Sequence, residues 1–474
     1  MALSDIETIV IVIMENRSFD HLCGYLSLPS TTPSPMVVEG LRDDPAWLTP
    51  LTNSFGGEPY PLHRLPPATQ EIDDPDHTQK SIAMQIGPGP VAGASGIMGG
   101  FVQSYVTYAP KNKPPLSDPS LVMGYYDAAA APAIDFFARN FGICDHWFAA
   151  LPLGTQANRL MAMGGESRIV DNAPVLLPNQ DLVYDWLTRH GVHWRAYQSG
   201  DFFPFFSLMD HWTPEITTSL ALSSALSAVG GGGRFRRFDN FAGEWKNDQA
   251  LMPPVVFIEP EYTDGPHFNP NDDHPPTGIA RGQSFLADIY TALIANPRRW
   301  ANTLMLITYD EHGGFFDHVA PLPIPGSAGG ASFTTTGVRV PALVVSPHVA
   351  PGTVYSGALD HTSILQFLAD RFAPGEDYSP AVAVRQAHLS RLSEILAAAP
   401  IPRAPQIDAI PIAAARAIAA VTPPPPSNGD APGDPPNAQA LHEVAIKIAT
   451  EHPDLLNAPG WERLADYLRP FAVA

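Results

Sequence analysis

The chain has 474 residues, of which 45% are hydrophobic, so it can bury one large core or two domains. Its 27 lysine and arginine residues stand against 48 aspartate and glutamate residues, which gives a net charge of -21. This acidity argues against nucleic acid as a partner, because nucleic acid needs a basic face. It also argues against membrane binding through a general positive field. Only 16% of the residues are charged and 52 are proline, which predicts long ordered loops.

The chain opens with a short apolar segment, Ile9 to Met14, that predicts a buried strand. Asp5 and Glu7 precede it, and there is no basic segment of the kind that opens a signal peptide. The segment is also too short to span a bilayer. We therefore expect a protein without a transmembrane segment that is cytoplasmic as written, and secreted or periplasmic if a leader has been removed. The two cysteines, Cys23 and Cys144, could form one disulfide or remain two free thiols.

Polar residues follow the first strand and then give way to a long loop region. Glu15 comes directly after the strand, and Asn16 or Ser18 could cap the next helix. Residues 28–118 are rich in proline and glycine and show little periodicity, and ordered loops of this length are usually functional. Within them, the sequence DDPDH places His77 among acids, whose charge would raise its pKa and favour the cationic form.

The next feature is a sharp turn at Gly154 that precedes a predicted helix running from Thr155 through Met163. It follows a segment, residues 119–141, that predicts one or two helices. Thr155 could be the N-cap of the helix at 155. It could also be a nucleophile, because a helix N-terminus stabilises an alkoxide and binds phosphate through free N–H groups. A bound metal ion would complete its activation. Position alone leaves both interpretations open.

The rest of the chain alternates between predicted strands and helices. Predicted strands lie at residues 194–197, 254–258, 304–307 and 338–345, and predicted helices lie at 181–190, at 280–295 and from Thr362 onward. This alternation predicts a mostly parallel sheet covered on both faces. Three strands end in acids, namely Glu15, Glu259, and Asp310 with Glu311, and His274 lies beside further acids in a loop. Acids that meet at one sheet edge would form a site, unless two of them merely cap neighbouring helices.

The segment with the strongest functional signal runs from Thr303 to Val319 and reads TLMLITYDEHGGFFDHV. Its apolar strand ends in the adjacent carboxylates Asp310 and Glu311, at the position where open α/β sheets place their ligands. Because adjacent carboxylates repel each other, they need a cation or protons nearby. A hard divalent metal ion is the simplest answer. The alternative is a polar loop that merely follows a strand.

The C-terminal part of the chain predicts a separate organisation. Residues 1–404 form the main domain, and residues 405–436 form a proline-rich linker whose clearest part, from 423 to 436, reads PPPPSNGDAPGDPP. Residues 437–474 form a C-terminal helical segment with short amphipathic helices at 438–452 and 460–468. We expect these helices to dock on the main domain.

Five motifs occur in a characteristic order along the chain: ENRSFDH, DDPDH, GTQANR, EPEY followed by NDDHPP, and TYDEHGGFFDHV. In this order they resemble the bacterial phosphoesterase family, which contains non-specific phospholipase C enzymes and a related acid phosphatase. The resemblance covers about residues 6–372. It implies an alkaline-phosphatase-like fold, which is a three-layer α/β/α sandwich, and a metal-assisted serine or threonine nucleophile. On this view residues 1–404 are the catalytic phosphoesterase domain.

The resemblance also implies residue roles, motif by motif. Thr155 resembles the nucleophile of the phospholipase branch, and His77 and His274 resemble the imidazoles that hold phosphate and protonate the leaving group. The implied ligands of a divalent metal ion are Glu15, Asn16, Thr155, Asp310 and Glu311. Oxygen ligands suit a hard cation such as calcium or magnesium, and the superfamily resemblance keeps zinc open. Supporting or structural duty is assigned to His312, His318 and His361.

The implied function is metal-dependent hydrolysis of phosphodiester bonds in phospholipids through a phosphothreonine intermediate, with release of a phosphorylated head group. Aromatic faces attract quaternary ammonium groups, so aromatic residues near Thr155 favour a choline-like head group. They are Trp147, Phe148, Tyr197, Phe202, Phe203, Phe205, Phe206 and Trp212. The alternatives are a broad-specificity acid phosphatase acting on other phosphate esters, and a non-catalytic binding protein on the same fold.

Overall fold

The computed structural model of the protein describes residues 3–31, 34–87, 98–108, 118–200, 203–226, 233–265, 269–396, 404–421, 436–453, 457 and 462–469. Within these residues, eight strands form one central sheet: β1 (Thr8–Met14), β2 (Gly142–Cys144), β3 (Trp194–Gln198), β4 (Phe235–Arg237), β5 (Val255–Glu259), β6 (Thr303–Tyr309), β7 (Ala342–Val345) and β8 (Thr353–Tyr355). Their order across the sheet is β8-β2-β7-β6-β1-β5-β3-β4.

The central sheet is mostly parallel, as predicted. Strand β1 lies between β5 and β6 and is parallel to both, whereas β7 is antiparallel to its neighbours β6 and β2. The remaining pairs of the sheet are parallel. In the register of β1 with β6, Met14 lies opposite Tyr309. The residues that follow these two strands are therefore neighbours at the carboxyl edge of the sheet.

Helices cover both faces of this sheet. Every residue of β5, β6 and β7 is buried, and so is β1 from Ile9 onward. Because successive side chains of a strand point to opposite faces, complete burial requires cover on both sides. This confirms the predicted α/β fold with its three layers.

Sixteen helices lie in the described residues: α1 (Phe19–Cys23), α2 (Pro45–Leu48), α3 (Gln79–Ile86), α4 (Phe101–Thr107), α5 (Pro132–Asn140), α6 (Thr155–Gly164), α7 (Val183–Arg189), α8 (Thr213–Leu226), α9 (Phe241–Lys246), α10 (Ala280–Ile294), α11 (Pro297–Trp300), α12 (Thr362–Phe372), α13 (Pro380–Gln386), α14 (Ala409–Val421), α15 (Pro436–Glu451) and α16 (Glu462–Leu468). None of the described helices combines the length and the apolar character that a membrane crossing requires. Cys23 and Cys144 are both free and buried.

One predicted strand is shorter than expected. The segment predicted at 338–345 is a strand only from Ala342 to Val345. Pro341 has no N–H group to donate to a sheet, and Arg339 is fully buried in ion pairs with Asp20 and Asp317. The first half of the predicted strand instead pairs by backbone hydrogen bonds with residues 147–149, outside the central sheet, and is anchored by the ion pairs of Arg339.

The predicted linker at 405–436 is wrong in its first half, because α14 occupies part of it. Ala415 and Ala419 pack against Ala280 of α10, and Arg281 donates a hydrogen bond of 2.7 Å to the carbonyl oxygen of Ala419. Alanine is the best helix former, and its small side chain lets two helices approach closely. Residues 422–435 of the predicted linker lie outside the described residues.

The C-terminal helix α15 docks on the main domain, as expected. Its buried residues Leu441, Val444 and Ile448 join the main hydrophobic core. The helix packs against the turn Phe205–Leu208, and Lys447 forms an ion pair with Asp210. Helix α15 is therefore part of the packed molecule.

Candidate active site at the carboxyl edge of the sheet

The ends of β1 and β6 meet at this edge and are tied together by backbone geometry. The backbone N–H of Asn16 donates a hydrogen bond of 3.0 Å to Oδ1 of Asp310. Asn16 itself adopts a left-handed conformation, with φ at 58°, which is uncommon outside glycine. A Cβ atom at Gly313 would lie 2.1 Å from the carbonyl oxygen of Asn16, so only glycine allows the second loop to pack this closely. The glycine pair of the TYDEHGGFFDHV motif thus serves to join the two strand ends.

Thr155 is the first residue of α6, and Gly154 is its N-cap. The hydroxyl group of Thr155 does not cap the helix, which removes the simpler of the two interpretations of this residue. A Cβ atom at Gly154 would lie 3.0 Å from the carbonyl oxygen of His77, so glycine at this position lets the His77 segment lie against Thr155. The loop before α6 is held by Asn158, whose side chain bonds to both backbone groups of Leu151 at 3.0 and 3.1 Å.

Four of the five predicted metal ligands carry a buried oxygen atom without a hydrogen-bond partner in the described structure. They are Asn16 Oδ1, Thr155 Oγ1, Asp310 Oδ2 and Glu311 Oε1. A buried polar atom left unpaired costs about 1–3 kcal/mol, so a group of such atoms needs an explanation. A hard divalent cation takes oxygen ligands of this kind. The donor set therefore fits the divalent metal ion that the resemblance implies.

The fifth predicted ligand, Glu15, is engaged by an arginine that sequence reasoning did not single out. Both Nε and Nη2 of Arg159 contact Oε1 of Glu15, at 2.7 and 2.6 Å. Nε of Arg159 also lies 3.9 Å from Oδ2 of Asp310. Burial would lower the pKa of Arg159, but the Glu15 carboxylate outweighs this effect and the pKa is raised. The guanidinium therefore stays charged. The available signal was its place in GTQANR, one helical turn after Thr155 and so on the same face of α6.

His77 and His274 lie together, with ring centroids 5.8 Å apart. Nδ1 of His77 is 4.0 Å from both Glu311 Oε1 and Asp74 Oδ1. Burial would lower the pKa of His77, but these two carboxylates raise it to about 9. Nε2 of His274 is 3.7 Å from Oδ2 of Asp264, and its pKa is raised to about 10 against the same effect of burial. Both imidazoles are therefore protonated at neutral pH and able to donate a proton.

The adjacent carboxylates differ in their ionisation. Burial raises the pKa of Asp310 to about 6, with Glu311 adding to the shift and Arg159 opposing it. Burial would also raise the pKa of Glu311, but His77 and His312 hold it below its ordinary value. Positive groups therefore lie near both carboxylates, with Nε of Arg159 3.9 Å from Asp310 Oδ2 and Nδ1 of His77 4.0 Å from Glu311 Oε1.

The acid at the end of β5 does not join this group, so the expectation that all three acidic strand ends meet in one site is wrong. Oε2 of Glu259 accepts hydrogen bonds from the N–H of Phe205 at 2.7 Å and from the hydroxyl of Tyr262 at 2.8 Å. The rings of Phe205 and Tyr262 lie against the guanidinium of Arg159, with centroids 5.0 and 5.1 Å away. Glu259 thus positions the two residues whose rings lie against Arg159.

Two further histidines, His312 and His361, contact the segment at residues 310–311. His312 places Nδ1 at 3.2 Å from Glu311 Oε2, and its Nε2 lies 2.8 Å from Oε1 of Gln85. His361 accepts a hydrogen bond from the Trp147 indole and donates through Nε2 to the carbonyl oxygen of Asp310 at 2.5 Å. Burial lowers the pKa of His361 to about 4, so it acts as a neutral imidazole. These contacts agree with a supporting duty.

His318 belongs to a second cluster of potential ligands, formed with Asp20 and Asp317. Nδ1 of His318 lies 2.6 Å from Oδ2 of Asp20. Arg339 donates to both carboxylates, at 3.1 Å to Asp20 and 3.0 Å to Asp317. A buried guanidinium therefore already compensates the charge of this cluster.

The aromatic residues predicted to bind a cationic head group are part of the core instead. Those in the described structure are all buried, namely Trp147, Phe148, Tyr197, Phe203, Phe205, Phe206 and Trp212, and Phe202 lies outside it. Core packing is the commoner fate of large aromatic side chains. The preference for a choline-like head group therefore loses this support.

Comparison with known proteins establishes the family. The model of the Phosphoesterase family matches residues 6–373. The chain belongs to the Phosphoesterase family. A non-specific phospholipase C of Arabidopsis thaliana is 32% identical over 384 residues, covering 77% of this chain and 66% of the relative. Phospholipase C B of Mycobacterium tuberculosis is 28% identical over 447 residues, covering 86% of this chain and 81% of the relative.

The chain spans slightly less than two thirds of the length of that plant relative. Among solved structures, a protein of the alkaline phosphatase superfamily from Vibrio parahaemolyticus is similar with a TM-score of 0.31 and 11% sequence identity, covering 53% of this chain and 62% of that one. The family match confirms the resemblance drawn from the five motifs.

Proposed function

We propose that this member of the Phosphoesterase family is a metal-dependent phospholipase C-type hydrolase, which cleaves phosphodiester bonds of phospholipids and releases a phosphorylated head group. The names of the plant and mycobacterial relatives support this substrate class. The observation that carries the proposal is the group of four buried oxygens on Asn16, Thr155, Asp310 and Glu311 that have no hydrogen-bond partner among the described residues. One of them is a hydroxyl at a helix N-terminus, where a developing alkoxide is stabilised.

The residues that would hold the cation are Glu15, Asn16, Thr155, Asp310 and Glu311. A bound calcium, magnesium or zinc ion would neutralise phosphate oxygens and lower the pKa of the Thr155 hydroxyl. The chain's own residues supply the remaining chemistry. The segments at residues 15–16 and 310–311 meet through the hydrogen bond from Asn16 to Asp310, and Gly154, next to Thr155, lies against the His77 segment. His77 lies near Glu311 and Asp74, and His274 lies beside His77.

In the proposed reaction, Oγ1 of Thr155 attacks the phosphorus atom and gives up its proton to solvent, while the bond from phosphorus to the glycerol oxygen breaks. His77 or His274 donates its proton to the departing oxygen, which leaves as diacylglycerol. The phosphothreonine that remains carries the head group. Water then attacks the same phosphorus atom and returns a proton to the imidazole, while the bond from phosphorus to Oγ1 breaks. Oγ1 takes a proton from solvent, so the Thr155 hydroxyl is regenerated and the phosphorylated head group is released.

The test compares a chromogenic diester with a chromogenic monoester. We expect kcat/KM for p-nitrophenylphosphorylcholine to exceed that for p-nitrophenyl phosphate. Exhaustive chelation should abolish turnover of the diester, and re-addition of calcium, magnesium or zinc should restore it. The same chelation and re-addition experiment on Thr277→Ala serves as a control. The buried hydroxyl of Thr277 also lacks a partner in the described structure, but Thr277 lies outside the proposed ligand set.

Two outcomes would contradict the proposal. Faster turnover of the monoester at every pH would replace it with the acid phosphatase alternative. No turnover of either ester with any of the three metals would favour the non-catalytic binding protein.

A further inference from the structure

Arg159 stands out because it occupies the position of a cation among the proposed ligands. Its Nε and Nη2 both contact one oxygen of Glu15, and its Nε is 3.9 Å from the oxygen of Asp310 that has no hydrogen-bond partner in the described structure. Nη2 also donates to the carbonyl oxygen of Ile13 at 3.2 Å. The side chain is only 3% exposed, so water does not screen these charges.

The guanidinium is also fixed in place more firmly than an ion pair alone requires. It lies over the rings of both Phe205 and Tyr262, and Glu259 accepts hydrogen bonds from the backbone N–H of Phe205 and the hydroxyl of Tyr262. A cation over aromatic faces gains further attraction when it is desolvated. The acid at the end of β5 thus serves to hold a positive charge beside the acids at the ends of β1 and β6.

We propose that Arg159 is a built-in counter-ion that stabilises Glu15 and Asp310 in the metal-free protein and competes with the divalent cation for them. This inference rests on the metal site of the proposed function. Buried carboxylates without a compensating charge are strongly destabilising, so a protein that folds before it meets its metal needs such a cation. The same cation repels an incoming metal ion and occupies one oxygen of Glu15, so it should weaken metal binding.

The variant Arg159→Met tests the proposal, because methionine keeps an unbranched apolar side chain in the same volume and removes the charge. Without metal, we expect its melting temperature to fall further below that of the wild type than at saturating metal. We expect calcium, magnesium or zinc, whichever the wild type binds, to bind the variant about tenfold more tightly, which corresponds to about 1.4 kcal/mol. Calorimetric titration measures the affinity without reference to turnover.

Arg236→Met is the matched control. Arg236 is 5% exposed and pairs with Glu244, which is not a proposed ligand, and it lies on β4, three strands away from β1. Its loss should lower the melting temperature equally with and without metal and leave metal affinity unchanged. In the background Glu15→Gln, the effect of Arg159→Met on affinity should shrink, because one of the shared carboxylates is gone.

Metal affinity that is unchanged or weaker in Arg159→Met would overturn the inference while leaving the proposed function standing. Failure of the wild type itself to bind any of the three metals would overturn the proposed function and, with it, this role. If Arg159→Met folds only when metal is present, the counter-ion role is supported. If Arg159→Met does not fold at all, Arg159→Lys decides between the outcomes. Lysine retains the positive charge, so the counter-ion role predicts a metal affinity within a few-fold of the wild type, and a tenfold gain in metal affinity would contradict that role.

Discussion

At the scale of single residues, the side chains of the GTQANR motif make different contacts and have different roles. Asn158 fixes the preceding loop, Gln156 bonds to both backbone groups of Ala173, and Arg159 binds Glu15. Thr155 is the exception, because its buried hydroxyl has no hydrogen-bond partner in the described structure. A side chain that contributes no bond to the fold, yet lies among residues that all do, is best explained by chemistry.

The first prediction follows for Thr155→Ala. Because no hydrogen bond of the fold is lost, the melting temperature should stay near that of the wild type. Turnover of p-nitrophenylphosphorylcholine should fall by about 10³-fold or more, as expected when one member of a catalytic unit is removed. Thr155→Ser should retain part of the activity because it keeps the hydroxyl, and Thr277→Ala should stay within a few-fold of the wild type. A near wild-type rate for Thr155→Ala would reduce Thr155 to a structural residue.

The sequence identified the acids and histidines of the site more easily than their partners. Asp310 and Glu311 stand out because two adjacent carboxylates after an apolar strand need compensation. Arg159 does not, because it and Glu15 are 144 positions apart and only the folded chain brings them together. Asp74 and Asp264 were missed for the same reason, since only the folded chain shows which of several nearby acids faces His77 or His274.

At the scale of elements, continuous apolar segments predicted the strands well. The strands that became β1, β5 and β6 were predicted within two residues, because burial on both faces demands unbroken hydrophobic runs. The strand that became β3 was predicted as closely, although Arg195 interrupts its apolar residues. The strand predicted at 338–345 is too long, because the strand that forms begins only at Ala342, after Pro341. The guanidinium of Arg339 joins α1 to the loop after β6, through Asp20 and Asp317.

The second prediction concerns this connection between α1 and the loop after β6. Burial would lower the pKa of His318, but Asp20 raises it, and a raised pKa stabilises the fold below the ordinary value of about 6.5. Burial would raise the pKa of Asp20, but His318 and Arg339 lower it, and a lowered pKa stabilises the fold above about 3.9. The pair is therefore strongest between about pH 4 and 6.5, and its contribution fades as His318 loses its proton at higher pH.

His318→Gln should therefore lower the free energy of unfolding by about 1.5–3 kcal/mol at pH 6, the range for hydrogen bonds to charged groups. The deficit should be smaller at pH 9. Urea denaturation of the wild type and the variant at both pH values measures it, and the difference between the two proteins cancels the titration of shared groups. A deficit that grows with pH, or none at pH 6, would show that the pair is not ionised in this way.

At the scale of the whole molecule, the sequence underestimated how far the C-terminal part is integrated. Prolines around residues 405–436 suggested one continuous linker, whereas the alanine-rich segment between them forms α14 on α10. Composition describes average behaviour over a segment, and a helix that packs through small residues is easily hidden among prolines. The tail beyond it was expected to dock. Helix α15 contacts the turn Phe205–Leu208, and the ring of Phe205 in that turn lies against Arg159.

The last prediction concerns deletion of residues 436–474. The truncation removes the buried face of α15 and exposes the turn Phe205–Leu208, so the melting temperature should fall and the tendency to aggregate should rise. Leu441→Ala should reproduce part of this loss at about 2–5 kcal/mol, because Leu441 is buried in the core. Lys447→Ala should change little, because its ion pair with Asp210 is largely exposed.

Turnover per folded molecule of the truncated protein should stay within about tenfold of the wild type, because α15 packs on the turn that carries Phe205 and supplies no proposed ligand itself. Single-turnover rates of p-nitrophenylphosphorylcholine cleavage, normalised to the folded fraction from circular dichroism at 15 °C, separate this effect from instability. An unchanged melting temperature would show that α15 contributes no packing energy. Loss of the chemistry in a folded truncation would instead show that the tail acts on the site, through Phe205 and the position of Arg159.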